Sequence, residues 1–325
     1  MKTDDNTVMC HEVCTGCSCC LLSCPVWRRT ADRSLTAQGR NKALQGGAAI
    51  EEISDAIDAC LLCGTCRQNC PEDNDIVGLT IEHRRLLNET RKDHPTWYLK
   101  IALKQANGIS PAYNHTGITL LAGDALKADR SRCDAALRLI GNGCMLATDD
   151  GGEIVKMIEA GLKVDQSIIE SFIQPLTRAK QLIVAQGNLQ RHLRKWLPKT
   201  SIIGMGEALL SIASIRRSLT AQDLYIIESC GLHSDYARLV GFYDRLRQET
   251  GAQLNLDLQR IAVPTGTASL QAGKDMEAAG CIEQAKWILY NRKVSRIVVE
   301  SVEDVAVFKS VTNIPVVHIA ELAGR

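Results

Sequence analysis

CTGCSCCLLSCP at residues 14–25 and CLLCGTCRQNCP at residues 60–71 decide the reading of this chain. Each follows the pattern C-x2-C-x2-C-x3-C-P. Three thiolates set two residues apart on a tight loop reach three corners of one 4Fe–4S cube, and the fourth cysteine lies further on and points elsewhere. A lone C-x2-C fits zinc, a redox dithiol or chance. Structural zinc, which takes four ligands as two pairs across a loop, remains the competing reading. The doubled run of four, each closed by proline, favours two cubes.

Where two such runs share a chain, the fourth cysteine of each ligates the other cluster. That rule assigns Cys14, Cys17, Cys20 and Cys70 to one 4Fe–4S cluster, and Cys60, Cys63, Cys66 and Cys24 to a second. Crossed ligation would hold the cubes close together, as an electron relay requires. A register starting at Cys10 has the wrong first gap and loses the Cys-Pro ending. Cys19, beside a ligand, reads as a small buried residue turned away from the cube.

The remaining residues frame this core. Hydrophobic residues make up 45% of the 325, enough for real cores, and the length suggests two or three domains. A formal net charge of +1 gives no argument for nucleic acid or an anionic membrane surface. The polar, acidic start has no signal-peptide core, and the apolar stretch from Ile202 to Ile215 is too short to span a bilayer. Six scattered further cysteines (Cys10, Cys19, Cys133, Cys144, Cys230, Cys281) read as reduced thiols. The expected location is the cytoplasm, with any membrane association made through partners.

Between the runs, Ile50, Ile53, Ile57 and Leu61 recur at helical spacing, on a helix expected to deliver Cys60. After Pro71, Ile76 to Arg91 reads as a second helix, with Ile76, Leu79, Thr80, His83 and Leu86-Leu87 on one face. Arg28, Arg29, Arg33, Arg40, Arg67, Arg84 and Arg85 read as a basic surface. It serves either to tune or steer, or as ordinary solvated polarity. Pro, Gly and a lack of periodicity mark 96–117 as a linker, helical at Trp97–Ala106.

From Ile118 short apolar runs alternate with amphipathic helices. Strands are expected at 118–122, 182–185, 224–228, 260–263, 296–300 and 315–318. Helices are expected at 130–140, 153–160, 166–178, 189–197, 206–218, 235–250 and 274–292. Such alternation implies parallel sheets covered by helices. The fold class is therefore α + α/β: a helical bacterial-type ferredoxin domain (1–95), the linker, and a two-lobed α/β domain with parallel sheets (118–222 and 223–325).

The cysteine runs, TAQGR at 36–40 and the order of domains resemble the iron–sulfur subunits of glycolate oxidase, anaerobic glycerol-3-phosphate dehydrogenase and heterodisulfide reductase. Members of that group carry two CCG-type repeats after the ferredoxin domain. In the second lobe YIIESCGLH (225–233) looks like a repeat opening, VPTG (263–266) stands where Cys-Cys-Gly would be, and Ser301 stands near the closing cysteine. In the first lobe Asp124 takes the opening cysteine's place, Gly143-Cys144 sits near the middle and VAQG (184–187) looks like the close. Thiolates hold such clusters, and proline, serine and threonine cannot replace them all. The expectation is a degenerate region that keeps its fold and binds no third cluster. A disulfide reductase with a non-cubane cluster would need the missing cysteines.

The resemblance implies a non-catalytic electron-transfer subunit. A flavoprotein (FAD) dehydrogenase subunit would supply electrons, and a further redox or membrane-associated subunit would take them. The alternative is a redox-sensing or assembly protein without steady electron flux. Cys230 with His233 is weighed as a thiol–base pair and set aside for want of an orienting third group, leaving a relic cysteine beside a surface histidine. His11 reads as a cap or surface residue. Gly141-Asn-Gly143 and Gly151-Gly152 read as turns.

Overall fold

A computed structural model describes residues 11–104, 116–141, 143–272 and 280–324. Cys10 and the middle of the expected linker lie outside them. The chain folds as a helical N-terminal part followed by helices packed on two parallel sheets. The first sheet holds β1 (Ile118–Leu121), β2 (Cys144–Leu146), β3 (Gln181–Val184) and β4 (Ser201–Gly204), in the order β2-β1-β3-β4. The second holds β5 (Asp223–Ile226), β6 (Gln253–Leu254), β7 (Arg296–Val299) and β8 (Val316–His318), in the order β6-β5-β7-β8. All pairings within them are parallel and the two orders are the same.

Side chains that alternate along a strand face opposite sides of its sheet. In the inner strands β1, β3, β5 and β7 both sides are buried, as parallel sheets require. Leu120 and Ile183 of the first sheet and Tyr225 and Val298 of the second enter one shared core. Their neighbours Leu121, Leu182 and Val184 face a second core, and Leu224, Ile226, Ile297 and Val299 a third. The sheets are thus joined through a common hydrophobic layer, and each has a separate core on its far side.

The lobes also meet at bare backbone. The helix Gly187–Trp196 follows β3, and the helix Ser229–Ser234 follows β5. A Cβ on Gly187 would lie 1.7 Å from Glu228 Oε2 and 2.2 Å from the Gly231 nitrogen. Only a residue without a side chain permits this approach. Arg194 then pairs with Asp235 across the seam at 2.8 Å.

Several sequence expectations need correction. Residues 260–263 form no strand: Arg260 has φ 65°, and Ala262 makes only an isolated antiparallel bridge to Leu256. Strands β2, β4 and β6 went unread. Two of them are only two and three residues long, and β4 begins the apolar stretch 202–215, which breaks into a strand and two short helices. Within the expected linker, the helix Thr96–Lys104 sets Trp97, Tyr98 and Ile101 against the far core of the first sheet. Of the supposed basic surface, Arg40 and Arg84 are buried. Arg40 donates to the Ala56 carbonyl and Thr80 Oγ1, both at 2.9 Å, and so ties three helices together.

Candidate metal centre

Each cysteine run bends twice in the same way. In the first, Gly16 has φ 79° and Ser18 φ 67°. In the second, Leu62 has φ 53° and Gly64 φ 82°. These residues flank the second cysteine of each run, Cys17 and Cys63. Left-handed backbone is rare outside glycine, and a buried leucine there stores strain that surrounding structure must hold. The repeated turn curls each loop round its three sulfurs. Each run then leaves through Cys-Pro: Pro25 opens the helix Pro25–Thr30, and a short helix, Thr65–Asn69, carries the chain to Cys70 and Pro71.

The runs cross. Cys14, Cys17 and Cys20 line one cavity with Cys70 from the other run, and Cys66 reaches its wall. Burial pushes the Cys20 thiol up to about 12, and the charges of Cys24, Cys14, Cys17 and Cys70 push the same way. Around the other loop, Cys63 lies within electrostatic reach of Cys24 and Cys60, and burial raises it to about 11. The Cys66 thiol donates to the Cys24 sulfur, which holds Cys24 down as a thiolate and Cys66 up as a thiol. The structure therefore brings the two runs together: Cys66 and Cys70 join Cys14, Cys17 and Cys20 at one cavity, and Cys24 lies near Cys20, Cys63 and Cys66. Among the described residues, no three His, Cys, Asp or Glu side chains converge tightly enough to hold a single metal ion. The donor chemistry fits a larger group: soft sulfur ligands, all but Cys17 at least partly shielded from water, around a cavity. Cys19 does not turn away as expected. Ser18 swings the chain back, and the Cys19 thiol donates to Cys17.

The two loops differ in cover. Cys17 is exposed, whereas Cys63 and Cys24 are buried. The second loop is pinned by distant side chains that fill its carbonyls. Arg84 Nη2 donates to the Cys60 carbonyl at 2.7 Å, and Gln271 Nε2 at 3.0 Å. Arg191 Nη1 donates to the carbonyl of the strained Leu62 at 2.8 Å. His233 Nδ1 donates to the Cys63 carbonyl at 2.8 Å, and Gln68 returns a bond to the His233 carbonyl. Burial holds His233 down at about 4, so the ring is neutral. His233 is thus a buried clamp and not the surface residue expected. Leu61 is a further correction. The helix ends at Ala59, and Leu61 leaves it to join the far core of the second lobe.

Beyond this loop, Cys63 and Leu61 share a small pocket with Cys230, Pro264, Thr265, Gly266 and Ser301. The positions aligned by sequence with a repeat's cysteines therefore meet at the C-terminal edge of the second sheet. Behind Cys230 lies a carboxylate pair. Glu300 accepts from Tyr225 and Tyr243 hydroxyls at 2.8 and 2.6 Å and from the Glu228 nitrogen at 2.7 Å. Burial raises both Glu228 and Glu300 to about 7. A carboxyl whose folded pKa exceeds its unfolded value of about 4.5 supports the fold below that value and loses the contribution as pH rises to 7. Glu300→Gln is therefore expected to gain about 1–3 kcal/mol over the parent at pH 8 and nothing near pH 4. Urea unfolding at both pH values checks this, and an equal effect at both would refute it.

Residues 11–74 match the family model of a 4Fe-4S dicluster domain. The match takes in all eight cysteines of the two runs. Among curated proteins, lactate utilization protein B of Exiguobacterium sp. (strain ATCC BAA-1283 / AT1b) is 32% identical over 98 residues. That alignment covers 28% of this chain and 20% of the relative, so the chain spans about a fifth of that protein's length. No solved structure matches. The domain match supports an iron–sulfur, electron-transfer role for the N-terminal part, and no helix of the described residues is long and apolar enough to cross a membrane.

Proposed function

We propose that the chain is an electron-transfer iron–sulfur subunit of a multi-subunit oxidoreductase. In this reading Cys14, Cys17, Cys20 and Cys70 hold one 4Fe–4S cluster, and Cys60, Cys63, Cys66 and Cys24 hold the second. Such a cluster, when bound, accepts and returns one electron with little movement of its ligands. The chain's own task is to fix the spacing of the two sites and to keep water from one of them. The observation that supports the reading is that cysteines of both runs line one cavity, Cys14, Cys17 and Cys20 with Cys66 and Cys70.

One site faces outward at Cys17 and the other is folded against the α/β lobes, so the pair forms a path from surface to interior. A flavoprotein (FAD) dehydrogenase subunit would stand at one end and a further redox or membrane-associated subunit at the other. Lactate is a 2-hydroxy acid, so the partly matching relative's name favours a 2-hydroxy-acid dehydrogenase over a glycerol-phosphate or heterodisulfide-reductase-like partner. The lobes would then be docking bodies that also brace the second loop.

Anaerobic reconstitution is expected to load about eight irons and about eight sulfides per chain. Stoichiometric zinc in protein isolated from cells, or loading that stops near half that iron, would defeat the proposal.

A further inference from the structure

Four exposed large apolar side chains lie on segments that touch one arginine or adjoin a residue within its electrostatic reach. Arg28, in the helix that starts at Pro25, donates from Nη2 to the Leu22 carbonyl at 3.0 Å. Its guanidinium lies 4.0 Å from the centre of the Trp287 ring. Asp257 is within its electrostatic reach, and Leu258 is the next residue in the chain. Leu22 is 59% exposed, Trp287 46%, Tyr290 81% and Leu258 fully exposed. Tyr290 ends the helix that carries Trp287. Gln284 of that helix donates to the Pro25 carbonyl, so the two helices are joined at this surface.

Such exposure costs solubility unless something covers it. Its composition is that of an interface centre, where Trp, Tyr and Arg contribute most of the binding energy. Its net charge is positive. Segments 24–33, 257–260 and 281–293 carry seven basic and three acidic side chains. The patch also touches the sulfur sites: Leu22 lies between Cys20 and Cys24, and Arg28 is within electrostatic reach of Cys24 and Cys63.

We infer that the patch of Leu22, Arg28, Leu258, Trp287 and Tyr290 is the docking surface for the acidic face of a flavoprotein electron donor. The inference rests on the electron-relay reading and adds to it where the partner sits. Apolar side chains would fix the docked geometry, and the basic rim would steer approach. In each productive encounter the donor's reduced flavin loses one electron and the iron-loaded domain gains it.

The test uses the full, iron-loaded chain with flavodoxin, an acidic flavoprotein, as the probe. Binding of oxidised flavodoxin and stopped-flow electron transfer from reduced flavodoxin are measured from low to high salt. The double variant Lys286→Glu, Trp287→Ala is expected to raise Kd and lower the second-order rate at least tenfold at low salt, with a flatter salt dependence. Leu258→Ser, at a fully exposed position, should weaken both without affecting the fold. Visible absorbance and reduction by dithionite should stay as in the parent. Unchanged binding and rate in both variants would overturn the patch alone. If the parent takes electrons from dithionite but none from flavodoxin, the flavoprotein donor falls and the relay reading stands. A parent dimer broken by Trp287→Ala, or sedimentation with phosphatidylserine vesicles that Trp287→Ala abolishes, would assign the surface to another occupant and overturn the inference.

Discussion

Cys24→Ala is expected to strip the run it does not belong to. Iron should fall from about eight to about four per chain, since one of two cubes loses a corner. The informative readout is which thiols become reactive. Under crossed ligation, anaerobic alkylation and mass spectrometry should find Cys60, Cys63 and Cys66 newly labelled, while Cys14, Cys17, Cys20 and Cys70 stay protected. Cys70→Ala should give the mirror result and free Cys14, Cys17 and Cys20. The geometry behind this is the Cys66 thiol donating to Cys24, and Cys70 lining the cavity of the first run. If Cys24→Ala instead exposed Cys14, Cys17 and Cys20, each run would be ligating its own cluster and the crossed assignment would be wrong. Interaction between the two reduced centres, read by electron paramagnetic resonance, should vanish in either variant.

Arg84→Met should cost the fold about 2–3 kcal/mol, because it takes the side-chain donor from the Glu159 carbonyl and leaves the Cys60 carbonyl to Gln271 alone, while roughly keeping the side chain's bulk. Arg84 is among the most buried large side chains in the chain. Its Nη1 donates to the Glu159 carbonyl at 2.7 Å in the first lobe, and its Nη2 to the Cys60 carbonyl at 2.7 Å. The guanidinium also lies 4.9 Å from the Trp97 ring centre. Burial lowers its pKa, yet an arginine in such a setting stays charged. Methionine keeps the apolar contact and removes every donor, so the loss reads the hydrogen bonds. The urea midpoint should drop with little change in slope. Labelling of Cys60 and Cys63 in the iron-free protein should quicken while that of Cys17 does not. An unaltered midpoint would show that the first lobe holds the loop by other means.

What the sequence revealed was what depends on local spacing. The cysteine runs were legible because a cube demands fixed gaps, and residues 11–74 match a 4Fe-4S dicluster domain. The helices 130–140 and 236–250 were legible because their apolar periodicity is unbroken. The second loop's clamps were not. Arg84, Arg191, His233 and Gln271 come from positions 18 to 205 residues beyond Cys66, and nothing nearby in sequence marks a polar side chain that will be buried. One signal was present: Arg84 falls next to His83 and Leu87 on the helix Ile76–Thr90, partly within the face read as buried. The short edge strands β2 and β6 escaped because two or three residues show no period. Leu61 misled because its spacing fits the helix that ends before it.

The clamps on the second loop also set a timetable for making the protein. Domains ordinarily fold in turn as they leave the ribosome, the N-terminal one first. Here Arg191, His233 and Gln271 emerge long after the loop they complete. Roughly 200 residues separate Cys66 from Gln271, which at about 5–20 residues per second is a delay on the order of 10–40 s. During that interval the nascent thiols of Cys60, Cys63 and Cys66 have no finished cradle, so maturation of that half of the N-terminal domain waits until Gln271 has emerged.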